Sequence, residues 1–273
     1  MPELPEVETV VRQLRQKVLR KKIDLVEVFD SKVVDARLQQ EEPFSFQKIS
    51  RRGKYIIMKF DSDRYLLTHL RMTGHFHYVP KVVPKFVPKV NGNKSFQNFL
   101  VAVFHFKKGG FLTHNSVRKF GTMRIVGREQ LEDLESFLGL EPLGLSSEEF
   151  IEQVKQTPSA IIKSKLLDQK CIAGIGNIYA QEALYHAGIN PAKKINQISN
   201  QKLAQLNEEL QKVLRAAINN NGTTVNNYSH IDGEGGFQNF LAVYHQKACP
   251  KNHSLRKINI GGRSTYFCQS CQR

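Results

Sequence analysis

No run of about 18 consecutive apolar residues occurs in the sequence, so no membrane-spanning helix is expected. The N-terminus also lacks the apolar core of a secretory signal, which makes a cytoplasmic protein the expectation. Cysteine is scarce, 4 in 273 residues. That is too few for a disulfide framework in a cytoplasmic chain of this length, and it leaves metal binding or plain buried thiols. Acidic side chains are in the minority, 25 against 40 Lys and Arg, for a net charge of +15. The sequence pI is about 9.7. Such an excess points to a polyanionic partner, nucleic acid ahead of an anionic membrane, in preference to a protein that is basic only for solubility. The length suffices for a full core and suggests two domains.

What is present begins at the first residues. Removal of Met1 would leave Pro2 as a secondary amine, able to attack carbon and pass directly to an iminium ion. Pro5 suits a first helical turn, where its missing N–H would be unpaired anyway. Val7, Val10, Val11, Leu14 and Val18 recur at helical spacing and predict one buried stripe. The positive end of that helix dipole would lower the pKa of the amine. Glu3 follows at once as a possible general acid. Taken alone, the same residues also read as an ordinary helix entrance.

Residues 23–29, 55–60, 65–70 and 99–106 are short, β-branched or aromatic runs between charged or Gly/Pro-containing turns, which predicts a β-sandwich or barrel over the first 130 residues. Residues 79–93, with three prolines among lysines, predict a loop. Arg51, Arg52 and Lys54 surround Gly53 just before a strand. They read as a phosphate clamp with Lys54 reaching into a site, or as a solvated turn. Met72 beside Arg71, and Phe120 beside Arg118, sit next to glycine turns at Gly74 and Gly121. They read as wedges for a base stack with Arg118 facing the orphaned base, or equally as core residues.

Helical periodicity follows over 131–140, 148–156, 160–169 and 202–219, with a break at Pro142 and Gly144 that suits a hinge. Gly174 and Gly176 allow close backbone approach, and Asn177 would open a helix whose first N–H groups can hold a phosphate. Near the end, Cys249-x3-His253 and Cys268-x2-Cys271 form two ligand pairs with spacing suited to tetrahedral zinc. Residues 255–263 and 264–267 read as two strands joined at Gly261-Gly262, with Arg263 at the tip. A hairpin this small has no core of its own, so metal would have to hold it. Cys171 reads as a small buried hydrophobe.

PELPEVE at 2–8, RRGK at 51–54, HLRMTG at 69–74, VRKFGTM at 117–123, IAGIGNIY at 172–179 with EAL at 182–184, and GGRSTYFC with Cys271 at 261–271 occur in one order along the whole chain. This resembles the bacterial formamidopyrimidine-DNA glycosylase family, the helix–two-turns–helix glycosylases that excise oxidised purines. The resemblance implies an α+β fold. An N-terminal β-sandwich with a leading helix would span 1–130, and a helical helix–two-turns–helix domain 131–273, ending in a zinc-bound β-hairpin at 245–273.

The resemblance further implies Pro2 as the Schiff-base nucleophile, Glu3 as the acid that opens the sugar, and Lys54 as the catalytic-pocket lysine. Met72, Arg118 and Phe120 would fill the gap left by a flipped nucleotide. Asn177, Lys163 and Arg263 would bind DNA, with Arg263 also counted in the catalytic set. One structural zinc ion would lie on Cys249, His253, Cys268 and Cys271. The expected partner is duplex DNA carrying damaged bases or abasic sites, engaged by a monomer in the bacterial cytoplasm near the nucleoid. The expected activity is that of a bifunctional glycosylase and AP lyase in base excision repair. A damaged-DNA-binding paralogue with little excision is the alternative, and a basic zinc-dependent transcription factor would give Pro2 and Glu3 no role. The chain departs from the family pattern at several points. Asn252 takes the second cysteine position, with His253 one step later. Ser116 replaces an aspartate two residues before Arg118, and Gln181 replaces an acidic residue. Asn226 and Asn227 replace an Arg-Asp pair in the loop over the extruded base. Phe-Gln-Asn-Phe-Leu occurs twice, at 96–100 and 237–241.

Overall fold

Helix α1 (Leu4–Lys17) carries Pro5 in its first turn, where no N–H is required. Val7, Val10, Val11 and Leu14 on one face are fully buried, as is Val18 just past its end. The computed structural model describes residues 1–41, 43–81, 99–224 and 229–273. Asn226 and Asn227, most of the expected 79–93 loop and the start of the 96–100 repeat lie outside the described residues. The chain divides into two compact units. The first takes 1–2, 6–135 and 223–235; the second takes 3–5, 136–222 and 236–273.

Among the described residues, the first unit holds two antiparallel sheets. One runs in the order β1 (Ile23–Val28), β6 (Leu100–Phe106), β7 (Phe111–Ser116), β5 (Gly74–Val79). The other runs β2 (Lys48–Arg52), β3 (Tyr55–Lys59), β4 (Tyr65–His69), β8 (Thr122–Val126). Ile23, Val26, Phe104 and Leu112 from the first sheet join Ile49, Ile56, Met58, Leu66 and Ile125 from the second, together with the α1 stripe, in one core cluster. This is the expected sandwich. The four strands read from the sequence are present, each ending one residue short of the apolar run or starting one late. Strands β2, β5, β7 and β8 were not legible, because polar or charged residues break their apolar pattern. Strand β7 is buried along its whole length although Thr113, His114, Asn115 and Ser116 are polar. It lies between β6 and β5, so both of its backbone edges are paired.

Helix α2 (Arg128–Phe137) follows β8. In the second unit come α3 (Ser147–Lys155), α4 (Ile162–Leu167), α5 (Asn177–His186) and α6 (Asn200–Asn219). Helix α3 starts with a capping box between Ser146 and Glu149. Helix α6 buries Leu203, Leu206, Leu210, Val213, Leu214 and Ala217 along one stripe. Helix α5 differs, being buried from Ile178 through Tyr185, and so shows no amphipathic pattern in sequence. The chain closes with the hairpin β9 (Arg256–Ile260) and β10 (Arg263–Phe267). Its two-residue turn, Gly261-Gly262, has φ of +57° and +73°, a conformation that glycine adopts without steric cost. Among the described residues, no helix is long and apolar enough to cross a membrane.

Candidate active site and metal centre

In the second unit, the site is built around the N-terminus of α5. Gly176 is the residue before the helix and offers no capping side chain. The cap comes from far away in sequence: Glu3 Oε1 accepts the Ile178 N–H at 3.0 Å and Oε2 accepts the Tyr179 N–H at 3.4 Å. A carboxylate there satisfies two otherwise orphaned donors and meets the positive end of the helix dipole. The fit depends on Gly176. A Cβ at that position would stand 2.3 Å from Glu3 Cδ and 2.4 Å from Oε1. The Leu4 N–H donates to the Gly174 carbonyl at 3.0 Å, fixing the residues on both sides of the contact.

Around this carboxylate lie the other expected groups of the second unit. Lys163, on α4, is fully buried, and its Nζ bonds Thr265 Oγ1 at 2.5 Å. Burial, and then the Arg263 charge, push its pKa down to about 8, while Glu3 pulls the other way. Arg263, the first residue of β10, is exposed, as expected for a hairpin tip. Asn177 is the first residue of α5, and its Nδ2 donates to the Ser264 carbonyl at 3.1 Å. Tyr244, which the sequence did not single out, has its phenol pushed up by burial and by the Glu3 charge. The structure thus brings Glu3, Lys163, Asn177 and Arg263 into one neighbourhood within this unit.

The first unit holds the remaining candidates. Pro2 is buried with Met1 still attached to its nitrogen. Lys54 is 6% exposed and occupies the β2–β3 turn beside Gly53, so it is not a freely solvated turn residue. Its charge and that of Arg71, after burial, hold His69 down to about 3. At the turns after β4 and β7, Met72 is 39% and Phe120 63% exposed, which removes the core reading for both. Arg118 Nη1 contacts Met72 Sδ at 3.2 Å, and its backbone N–H donates to Thr73 Oγ1 at 2.9 Å. The two turns are therefore tied together with their large side chains outward. Ser116, buried at the end of β7, accepts the Lys119 N–H at 3.1 Å.

Several buried polar groups escaped the sequence reading because they bind backbone far away in the chain. Glu6 accepts the Thr223 N–H at 2.7 Å, just before residues outside the described set. Glu182 is 1% exposed and accepts N–H groups from Ala242, Val243 and Tyr244 at 2.7, 3.0 and 2.8 Å. Their only sequence signal is an acidic residue inside an apolar helical face.

The four expected metal ligands converge: Sγ of Cys249, Cys268 and Cys271 and a ring nitrogen of His253 lie within 4.8 Å of one another. The nitrogen facing the sulfurs is Nδ1, at 3.6, 3.6 and 3.4 Å from the three. With metal–sulfur bonds of about 2.3 Å and metal–nitrogen bonds of about 2.0 Å, a tetrahedron has S···N edges of roughly 3.5 Å. The donor set fits a metal of that preference. Asn252, in the place of the expected cysteine, has φ of +60°, which asparagine tolerates, and its turn delivers His253 into the cluster. Tyr185, Ala242 and Val243 pack against Cys249 and Cys268. Cys171 stands apart, buried, its thiol pushed up to about 11 by burial.

A family model described as the formamidopyrimidine-DNA glycosylase N-terminal domain matches residues 1–123, and the H2TH domain model of the same enzyme matches 138–229. Over its whole length the chain is 36% identical to the formamidopyrimidine-DNA glycosylase of Streptococcus pneumoniae, covering 99% of that protein. It is 37% identical to that of Mycoplasma genitalium, covering 96%. Two solved structures at 32% identity share the fold. The complex of wild-type Lactococcus lactis Fpg (MutM) with DNA containing N7-benzyl-Fapy-dG has a TM-score of 0.87 with both chains fully covered. The complex of Lactococcus lactis Fpg with abasic-site DNA has a TM-score of 0.88 with 99% of each chain covered.

Proposed function

Since this chain belongs to the formamidopyrimidine-DNA glycosylase family, we propose that it excises oxidised purines of the formamidopyrimidine and 8-oxoguanine type from duplex DNA and then cleaves the abasic strand. The observation that carries the reading is the Glu3 carboxylate, fixed by two backbone N–H groups at the head of α5 beside Lys163 and Arg263. A base inside a duplex is out of reach, so the nucleotide must be extruded at a cost of a few kcal/mol. Met72 and Phe120, exposed on their turns, suit the gap this leaves, with Arg118 facing the unpaired base. Asn177 and Arg263 suit backbone phosphates, whereas Lys163, fully buried on Thr265, offers them no exposed surface.

In this mechanism Met1 is first removed, leaving the Pro2 nitrogen as a secondary amine. The amine attacks C1′ of the extruded nucleoside, and the bond to the base breaks with its electron pair leaving on the base. The Glu3 carboxylate takes the proton from the Pro2 nitrogen and passes it to O4′ as the sugar ring opens, the departed base takes a proton from water, and Lys54 is the catalytic-pocket lysine that the resemblance implies. The resulting iminium acidifies the C2′–H. Loss of that proton expels the 3′ phosphate, so one nucleophile serves both the glycosylase and the lyase step. Cys249, His253, Cys268 and Cys271 would hold one zinc ion, whose part is to fold the hairpin that carries Arg263.

Borohydride trapping on 8-oxoguanine and abasic duplexes tests the proposal. A covalent adduct is expected, and it should vanish in protein that retains Met1, where the Pro2 nitrogen is an amide. Tight duplex binding with no adduct on either substrate would replace the enzyme with a damaged-DNA-binding paralogue.

A further inference from the structure

Position 181 holds a glutamine that is 1% exposed. Gln181 lies on α5 one turn beyond Asn177. Its Oε1 accepts the Tyr266 N–H at 2.6 Å. Its Nε2 donates to the Asn177 carbonyl at 2.7 Å and to the Ser264 carbonyl at 3.3 Å. Asn177 Nδ2 donates to that same Ser264 carbonyl.

The pairing has the logic of a sheet. Residues i and i+2 of a strand present a carbonyl and an N–H on the same edge, and a neighbouring peptide group satisfies both. Among the described residues, strand β10 has β9 on one side only. On its other edge the Gln181 amide, donor and acceptor together, meets Ser264 C=O and Tyr266 N–H as a peptide would. A carboxylate could accept from Tyr266 but could donate to neither carbonyl, and would set two acceptors against it. A primary amide of this length meets both needs.

We propose that Gln181 is a positioning residue whose amide stands in for a third strand of the metal-bound hairpin and so holds Arg263, one residue before Ser264, at the N-terminal turn of α5. The proposal rests on the reading of Arg263 as a phosphate-binding group. Without the amide, the hairpin would spend part of its time undocked, and apparent DNA affinity would fall by the docked fraction.

The test uses the full-length, zinc-loaded protein and the near-isosteric Gln181→Met, with hydrogen exchange at the Tyr266 amide and affinity for a duplex containing a tetrahydrofuran abasic analogue. Faster Tyr266 exchange and about tenfold weaker binding are expected, at unchanged zinc content. In an Arg263→Ala background, Gln181→Met should add no further loss, which a merely structural role would not produce. Unchanged Tyr266 exchange, or losses that simply add, would overturn the proposal. Should Gln181→Met not fold, Gln181→Glu keeps the volume and the acceptor while removing the donor; wild-type affinity in that variant would overturn it equally. Failure of the wild-type protein to bind the duplex would reject the DNA reading, while Tyr266 exchange still decides the role of Gln181.

Discussion

Gly176→Ala adds one methyl group where the Glu3 carboxylate sits. The φ of Gly176 is −135°, ordinary extended backbone, so alanine brings no conformational strain of its own. The whole effect is contact. The new Cβ would lie 2.3 Å from Glu3 Cδ, more than an ångström inside ordinary van der Waals distance. Glu3 must leave, and with it go its bonds to Ile178 and Tyr179, at 3.0 and 3.4 Å. A hydrogen bond to a charged group contributes about 1.5–3 kcal/mol. The second bond is long, so the total loss of stability is expected at about 2–3 kcal/mol. Displacing the proposed general acid should also lower single-turnover excision by at least about a hundredfold. Glu3→Gln separates the two effects, since its amide oxygen can still cap Ile178. It should cost about 1 kcal/mol or less in urea melts yet lose the same rate. Gly176→Ala with wild-type stability and wild-type excision would refute both the capping and the catalytic argument.

Three further outcomes are expected. Phe120→Ala and Met72→Ala should leave urea midpoints within about 0.5 kcal/mol of wild type, because both side chains are exposed, yet weaken abasic-duplex affinity by about 1 kcal/mol or more; unchanged affinity would remove the wedge role. His114 is fully buried, its ring nitrogens have no hydrogen-bond partner among the described residues, and burial followed by the His75 charge holds its pKa at about 3 against an ordinary 6.5. The unfolded chain takes up that proton below pH 6.5 and the folded one only near 3, so stability is full above 6.5 and falls as pH drops, by up to roughly 5 kcal/mol from this group. His114→Phe should flatten that part of the pH profile, and an unaltered acid slope would contradict the assignment. His253→Ala should lower zinc affinity, in chelator competition, by more than the roughly 10–100-fold typical of a lost supporting contact; wild-type affinity would exclude Nδ1 as a ligand.

Local pattern carried much of this protein. The valine stripe of α1, four strands, the helical segments and the Cys3His spacing follow from periodicity and from ligand pairs close in sequence, so a short window contains the cause. The ordered motifs were enough to identify the family. What tertiary structure alone decided is which partners those residues take. Glu3 caps a helix 175 residues away, Gln181 closes the edge of a strand beyond residue 260, and Lys163 loses its water entirely. The polar strand β7 lies buried between β6 and β5, which pair both of its backbone edges. Desolvation, long-range hydrogen bonds and the clash that makes Gly176 necessary depend on atoms brought together by folding, and no stretch of sequence displays them.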